Sequence, residues 1–139
     1  MALTILPDAE RMISSGLRLS ADLTALVGDN IYTALPKQAS ARVFPLVRLA
    51  RIGGAPAGTP LYLDTAFIQF DVWGGSKHEA RTIAATVIAA LVELVGYNEH
   101  GGYITGVDPG ATRYALDETF TPSRPRYIVD VAVHTRPTA

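Results

Sequence analysis

The stretch FIQFDVWGGSKHEAR, Phe67 to Arg81, sets two glycines, a serine and a lysine between an alternating apolar run and an alanine-rich one. A strand that turns through glycines into a helix can hold a phosphate, because free amides and a lysine face the anion together. The nucleotide pattern is G-x-x-x-x-G-K-[ST]. Here Gly74 and Gly75 are adjacent and Lys77 follows Ser76, so the spacing is wrong for a phosphate cradle. The same residues spell a helix start. Ser76 and Glu79 form S-x-x-E, a capping box in which the serine oxygen accepts a first-turn amide and the glutamate bonds back to the serine amide. Glu79 also lies at the positive end of the helix dipole.

The other reactive side chains do not converge. His78, His100 and His134 fall in a first helical turn, a loop and a strand, and no pair has helical ligand spacing. They read as solvated or locally bonded histidines. No serine lies in G-x-S-x-G, and there is no G-x-G-x-x-G. Asp117 and Glu118 are strand neighbours on opposite faces, so they are not a carboxylate pair. Asp71 lies near Trp73 on the outward face of its strand, with no base or metal partner in view. Arg48, Arg51, Arg113, Arg124, Arg126 and Arg136 fall near acids and read as surface ion pairing. The expectation is no catalytic residue, no cofactor site and no metal site, and hence no enzyme.

Composition narrows the class further. The chain has 139 residues, enough for one domain with a real core; 48% are hydrophobic and 18% charged, which excludes a disordered tail. A net charge of -1 supplies no basic field for gripping nucleic acid. There is no cysteine, so disulfides and thiolate metal sites are excluded, which suits a reducing cytoplasm. Met1 to Leu6 has no basic start and stops at Pro7 and Asp8, so it does not read as an export signal. Ile83 to Val95 is interrupted by Glu93 and is too short to span a bilayer.

The elements that position these residues follow from periodicity. Ala9, Met12, Ile13, Gly16 and Leu17 predict an apolar helix face from about Pro7 or Asp8 to Leu19, with Gly16 marking a close contact or an early end. Ser20 caps a second short turn that Gly28 stops. FPLVRLARI, Phe44 to Ile52, predicts a strand, and Gly53 to Pro60 an uncharged flexible loop with Arg51 and Tyr62 at its base. In the strand Leu63 to Trp73, the residues Ala66, Ile68, Phe70 and Val72 make the core face. Phe67 and Trp73 then lie outward, among polar residues. The next helix runs to about Val95; Ile83, Val87, Leu91 and Leu94 form one stripe, and Ala80, Ala84, Ile88 and Val95 a second. Its remaining side, Thr82, Ala85, Thr86, Ala89 and Glu93, is small and weakly polar. Either this helix is deeply buried, or that side packs on another chain. Tyr103 to Val107 and Thr112 to Phe120 predict a hairpin about the turn of Asp108 to Gly110, and Arg126 to Thr135 a last strand.

The predicted fold class is α+β: an antiparallel sheet of about four to five strands with two main helices packed on one face. Apolar residues on faces a monomer keeps polar favour an assembly subunit. The candidate interface is Arg51, Gly53, Gly54, Tyr62, Phe67, Trp73, Thr82 and Thr86.

The motifs in order resemble the tail terminator (tail completion) proteins of long-tailed, non-contractile bacteriophages. LPDAERMISSGLR and LTALVGDNIYTALP resemble the family's N-terminal region, and FPLVRLARIGG its first long strand. IQFDVWGGSKHEARTIAATVIAAL resembles its middle signature, and RYIVDVAVHTRP its last strand. Gly101 to Gly110 matches least. The resemblance implies one virion subunit that forms a ring, hexameric in this family. Such a ring caps the finished tail tube, contacts the major tail tube protein and docks a head-completion protein. Genomic DNA passes through its channel without sequence-specific binding. It implies assembly in the host cytoplasm, no cofactor and no membrane. The alternatives are a head-completion connector or minor tail protein and, from another class, a small α+β enzyme or ligand-binding protein with Asp71, Trp73 and His78 at a pocket.

Overall fold

The computed structural model describes residues 3–38, 42–58, 63–120 and 122–138. Helix α1, Ala9–Leu17, starts where the Asp8 side chain accepts the Arg11 amide. Its buried face holds Ala9, Met12, Ile13, Gly16 and Leu17, as the spacing predicts. Gly16 is a close contact: a Cβ there would lie 2.7 Å from Leu94 Cδ2. Helix α2, Ala21–Val27, is capped by Ser20, and Gly28 ends it at φ 60. Helix α3, Lys77–Val92, begins at Ser76, whose oxygen accepts the Glu79 amide. It stops before Val95, and turns carry the chain to Gly96 at φ 97.

The sheet has six strands where about four to five are predicted. Its order is β1-β2-β3-β6-β5-β4, with β1 Ile31–Tyr32, β2 Leu46–Ala57, β3 Leu63–Trp73, β4 Asn98–Glu99, β5 Gly102–Tyr114 and β6 Arg126–Pro137. All pairs are antiparallel except β1 with β2. The two strands at the sheet edges are two-residue pieces: β1 is the short extended piece that Ile31 and Tyr32 suggest, and β4 is too short to leave a periodic trace.

Two other expectations fail for one reason. Gly53 to Ala57 is strand, not loop, because β3 pairs it residue by residue from Gly53 with Phe67 to Ala57 with Leu63. A bulge between Arg51 and Gly53 absorbs the irregularity, and Gly54 adopts φ 102. The end of that predicted loop, Thr59 and Pro60, lies outside the described residues. Asp108 to Gly110 is likewise no turn. It continues through β5, and register shifts at Ile104/Gly106 and Pro109/Thr112 take up the extra residues. In both places a long neighbouring strand supplies ladder bonds that outweigh the local turn preference. Beyond Ile104 no strand among the described residues pairs with the outer edge of β5, where proline and bulges are tolerated.

The helices cover one face of the sheet. Ala66, Ile68, Phe70 and Val72 of β3 and Val129, Val131 and Val133 of β6 pack with Ile83, Val87 and Leu91 of α3 in one buried cluster. Among the described residues no helix is long and apolar enough to cross a membrane.

Candidate functional site

The opposite face of the sheet carries Phe67, Gln69, Asp71 and Trp73 along β3, and its two ends differ. At the Trp73 end residues 115–120 and 122–125 return over the strands. An isolated bridge joins Asp117 to Arg124 within it. Phe120 meets Trp73 and Phe44 edge to face, with ring centres 6.2 and 5.4 Å away. The Arg124 guanidinium lies 3.6 Å over Phe44. The Trp73 indole donates to Asp117 Oδ2 at 2.9 Å, and the Thr119 amide to Asp117 Oδ1 at 3.0 Å. Arg48 pairs with Asp71, and Arg126 stands 3.8 Å from both Asp71 and Asp117. Burial alone would push the Asp117 carboxyl up. Hydrogen bonds from Thr119 and Trp73, with the Arg126 charge, outweigh it and hold the group below the usual carboxylate range.

Trp73 is therefore not an exposed interface residue. It is 2% exposed, and Asp71 is buried too. Strand parity correctly put both on the outward face; a segment some forty residues later covers that face. Arg48, Arg51, Arg113 and Arg126 do pair with acids, but Asp64, Asp71 and Asp117 are buried partners rather than surface ones. Arg124 and Arg136 lie over the rings of Phe44 and Tyr103 instead.

At the other end nothing among the described residues returns. Phe67 is 48% exposed and Ile52 is exposed beside it. They wall a groove of about 330 Å³ with Ala132, Gly110, Asp108 and Asp130. Asp130 accepts from Gln69 and pairs with Arg113. Asp108 faces His134 Nε2 at 2.8 Å, and His134 Nδ1 lies 3.0 Å from the Thr65 hydroxyl. A hydroxyl, an imidazole and a carboxylate in a row suggest a nucleophile and its base. Thr65, however, sits between β2 and β6, whose ladders occupy the neighbouring backbone amides. No pair of free amides stands by to hold an oxyanion.

The remaining candidates separate. Arg51 grips buried Asp64 with both ends, at 2.6 and 2.8 Å, and its amide donates to Glu10 of α1, which pins the root of the β2–β3 hairpin. Gly53 sits opposite Phe67. Gly54 admits no side chain, since a Cβ would fall 1.9 Å from the Thr65 carbonyl oxygen. Tyr62 lies outside the described residues. Thr82 and Thr86 are on the outer side of α3, and their hydroxyls donate to the carbonyls of His78 and Thr82. The structure thus brings Gly53 and Phe67 together, and Arg51 close by, but leaves the two threonines on the other side of the molecule. Sequence reasoning missed Ile52, although its parity already placed it outward.

The glycine turn is taken up by the helix cap. The Gly75 amide donates to Glu79 Oε1 at 2.9 Å, so the capping carboxylate reaches back one residue further than Ser76 and occupies the donor a phosphate would need. Lys77 Nζ stands 4.6 Å over the Tyr114 ring. His100 bonds to Ser15 at 2.9 Å. Among the described residues no three histidine or carboxylate side chains gather to hold a metal.

Residues 12–95 match the family model described as tail completion protein gp17. The chain belongs to this family of phage structural proteins. Its fold is shared by a chain in the virion of a native gene transfer agent (GTA) particle, at 22% identity and a TM-score of 0.69, over 92% of this chain and 94% of that one. The bacteriophage SPP1 gp17 protein aligns at 19% identity and a TM-score of 0.48, over 94% and 91%. Comparison with curated proteins gives no match. For a tail completion protein the conspicuous features are then surfaces rather than pockets: the Phe67 groove, and on the helix side the exposed Leu19, Val92 and Val95.

Proposed function

We propose that this tail completion protein forms a ring, expected to be a hexamer, that caps the finished tail tube. The ring ends tube polymerisation and presents the docking surface for the head. Its partners are other copies of itself, the major tail tube protein and a head-completion protein, and genomic DNA passes through the channel. The family match over residues 12–95 carries this reading. Two further observations support it. Apolar groups are exposed on two unlike faces, Phe67 and Ile52 on the sheet and Leu19, Val92 and Val95 on the helix side. Unlike faces pair head to tail, and such contacts close into a ring when the rotation between neighbours closes. The net charge of -1 suits a channel that lets DNA pass, since a basic lining would retain it. In this reading the protein acts by assembly, with no catalysis and no cofactor, in the host cytoplasm and then at the head end of the tail. The test is a phage lacking the gene, imaged by electron microscopy. The expected particles are full heads beside unjoined tails of uncontrolled length. Normal virions from that mutant would refute the proposal.

A further inference from the structure

Two of the exposed apolar features lack a partner among the described residues. One is the Phe67 groove, walled by Ile52 and Phe67 and lined by Ala132. The other is the segment before α1, where Leu3 is 88% and Ile5 77% exposed. Leu3 and Ile5 are two residues apart, so in extended backbone they project from the same side. Leu3 to Pro7 carries no charge, and no helix or strand includes it.

We propose that residues 3–6 of one copy seat in the Phe67 groove of the next copy, with Leu3 and Ile5 entering it. This rests on the ring reading above and names the contact that joins neighbours. Reach excludes the chain's own groove. Pro7 is buried against the start of β5: a Cβ at Gly102 would lie 2.5 Å from Pro7 Cβ and 2.7 Å from Met12 Sδ. Met12 belongs to the core face of α1, so Pro7 is anchored in the helix layer. The groove lies across the sheet, at Asp108 and Gly110. Gly102 to Asp108 spans roughly 20 Å of strand. Residues 3–6 extend at most about 14 Å, and they would also have to round the edge of the sheet.

A neighbouring copy has no such limit. The segment leaves one face and the groove opens on the other, so the contact is head to tail. The charges agree with an uncharged occupant. Asp108 and Asp130 at the groove already face His134 and Arg113, so neither requires a cation from outside.

The absence of cysteine makes the test clean. Ile5→Cys and Ala132→Cys are introduced together and the assembled protein is oxidised. The expected result on a non-reducing gel is a ladder of covalent oligomers, whereas each single variant stops at dimers. In parallel, Leu3→Ser, Ile5→Ser and Phe67→Ser are each expected to weaken association in sedimentation by about tenfold or more, the effect of losing one buried apolar side chain. Rings that form without a ladder, and that survive the serine changes, would overturn this contact and leave the ring reading intact. A fast-migrating, internally linked monomer would also overturn it. A monomer at every concentration would overturn both.

Discussion

Phe67 and Trp73 stand on the same face of the same strand, and they have opposite fates. Trp73 is buried beneath residues 115–120 and 122–125, bonded to Asp117 and flanked by Phe120. Phe67 is about half exposed beside Ile52. The closed end is a second small core, built around two buried carboxylates and the arginines that neutralise them. The open end has no cover among the described residues, and its apolar surface is available for a partner. The difference teaches that an aromatic on the outward face of a strand is an interface residue only if no later part of the chain returns to it.

The largest effect should come from the closed end. Trp73→Ala removes a buried aromatic and one of the donors to Asp117, and should cost about 3–5 kcal/mol in chemical denaturation. Phe67→Ala, six residues away on the same face, should stay within about 1 kcal/mol, because about half of its surface is already exposed. Equal losses at both positions would erase the contrast between the two ends.

Gly54→Ala should come next. It forces a side chain at φ 102 into the Thr65 carbonyl, where a Cβ would come within 1.9 Å. Strain at such a position costs on the order of 1–3 kcal/mol. The β2–β3 ladder should open locally, read as faster amide exchange at Ala55 and Ala57 with protection in the core unchanged.

Asp117→Ala should cost about 1–3 kcal/mol, since the Trp73 indole and Thr119 lose their acceptor. The same carboxyl makes the closed end acid-sensitive. Its folded pKa is lowered, so its contribution to stability is fully present above the unfolded value of about 3.9 and is lost as pH falls through the folded pKa. Trp73 fluorescence should therefore change on acidification below about pH 4, and Asp117→Asn should flatten that change. The smallest effect on the fold belongs to Phe67→Ser, which should leave the thermal melt of the monomer nearly unshifted while association falls.

Much of the architecture was legible from local chemistry. Asp8, Ser20 and Ser76 announce their helices because a cap acts within three residues. The buried faces of α1 and α3 follow from a 3.6-residue period, and the core side of β3 from a period of two. The phosphate reading of Gly74 to Lys77 failed on spacing alone, and Glu79 fills that amide in the structure. The candidate site was only half legible. Gly53 and Phe67 meet as expected, but Trp73 and Asp71 are covered, and Ile52 was overlooked.

What the sequence determined by itself was the set of helices, their capped starts, and the two faces of β3 and β6, because these depend on neighbours a few residues away. Only the tertiary structure decided which end of the outer sheet face is closed. That choice depends on Asp117 and Phe120 reaching Trp73 across more than forty residues. It also decided that Asp108 to Gly110 and Gly53 to Ala57 extend rather than turn. A turn preference is worth a fraction of a ladder, and the ladder exists only once the partner strand has arrived beside it.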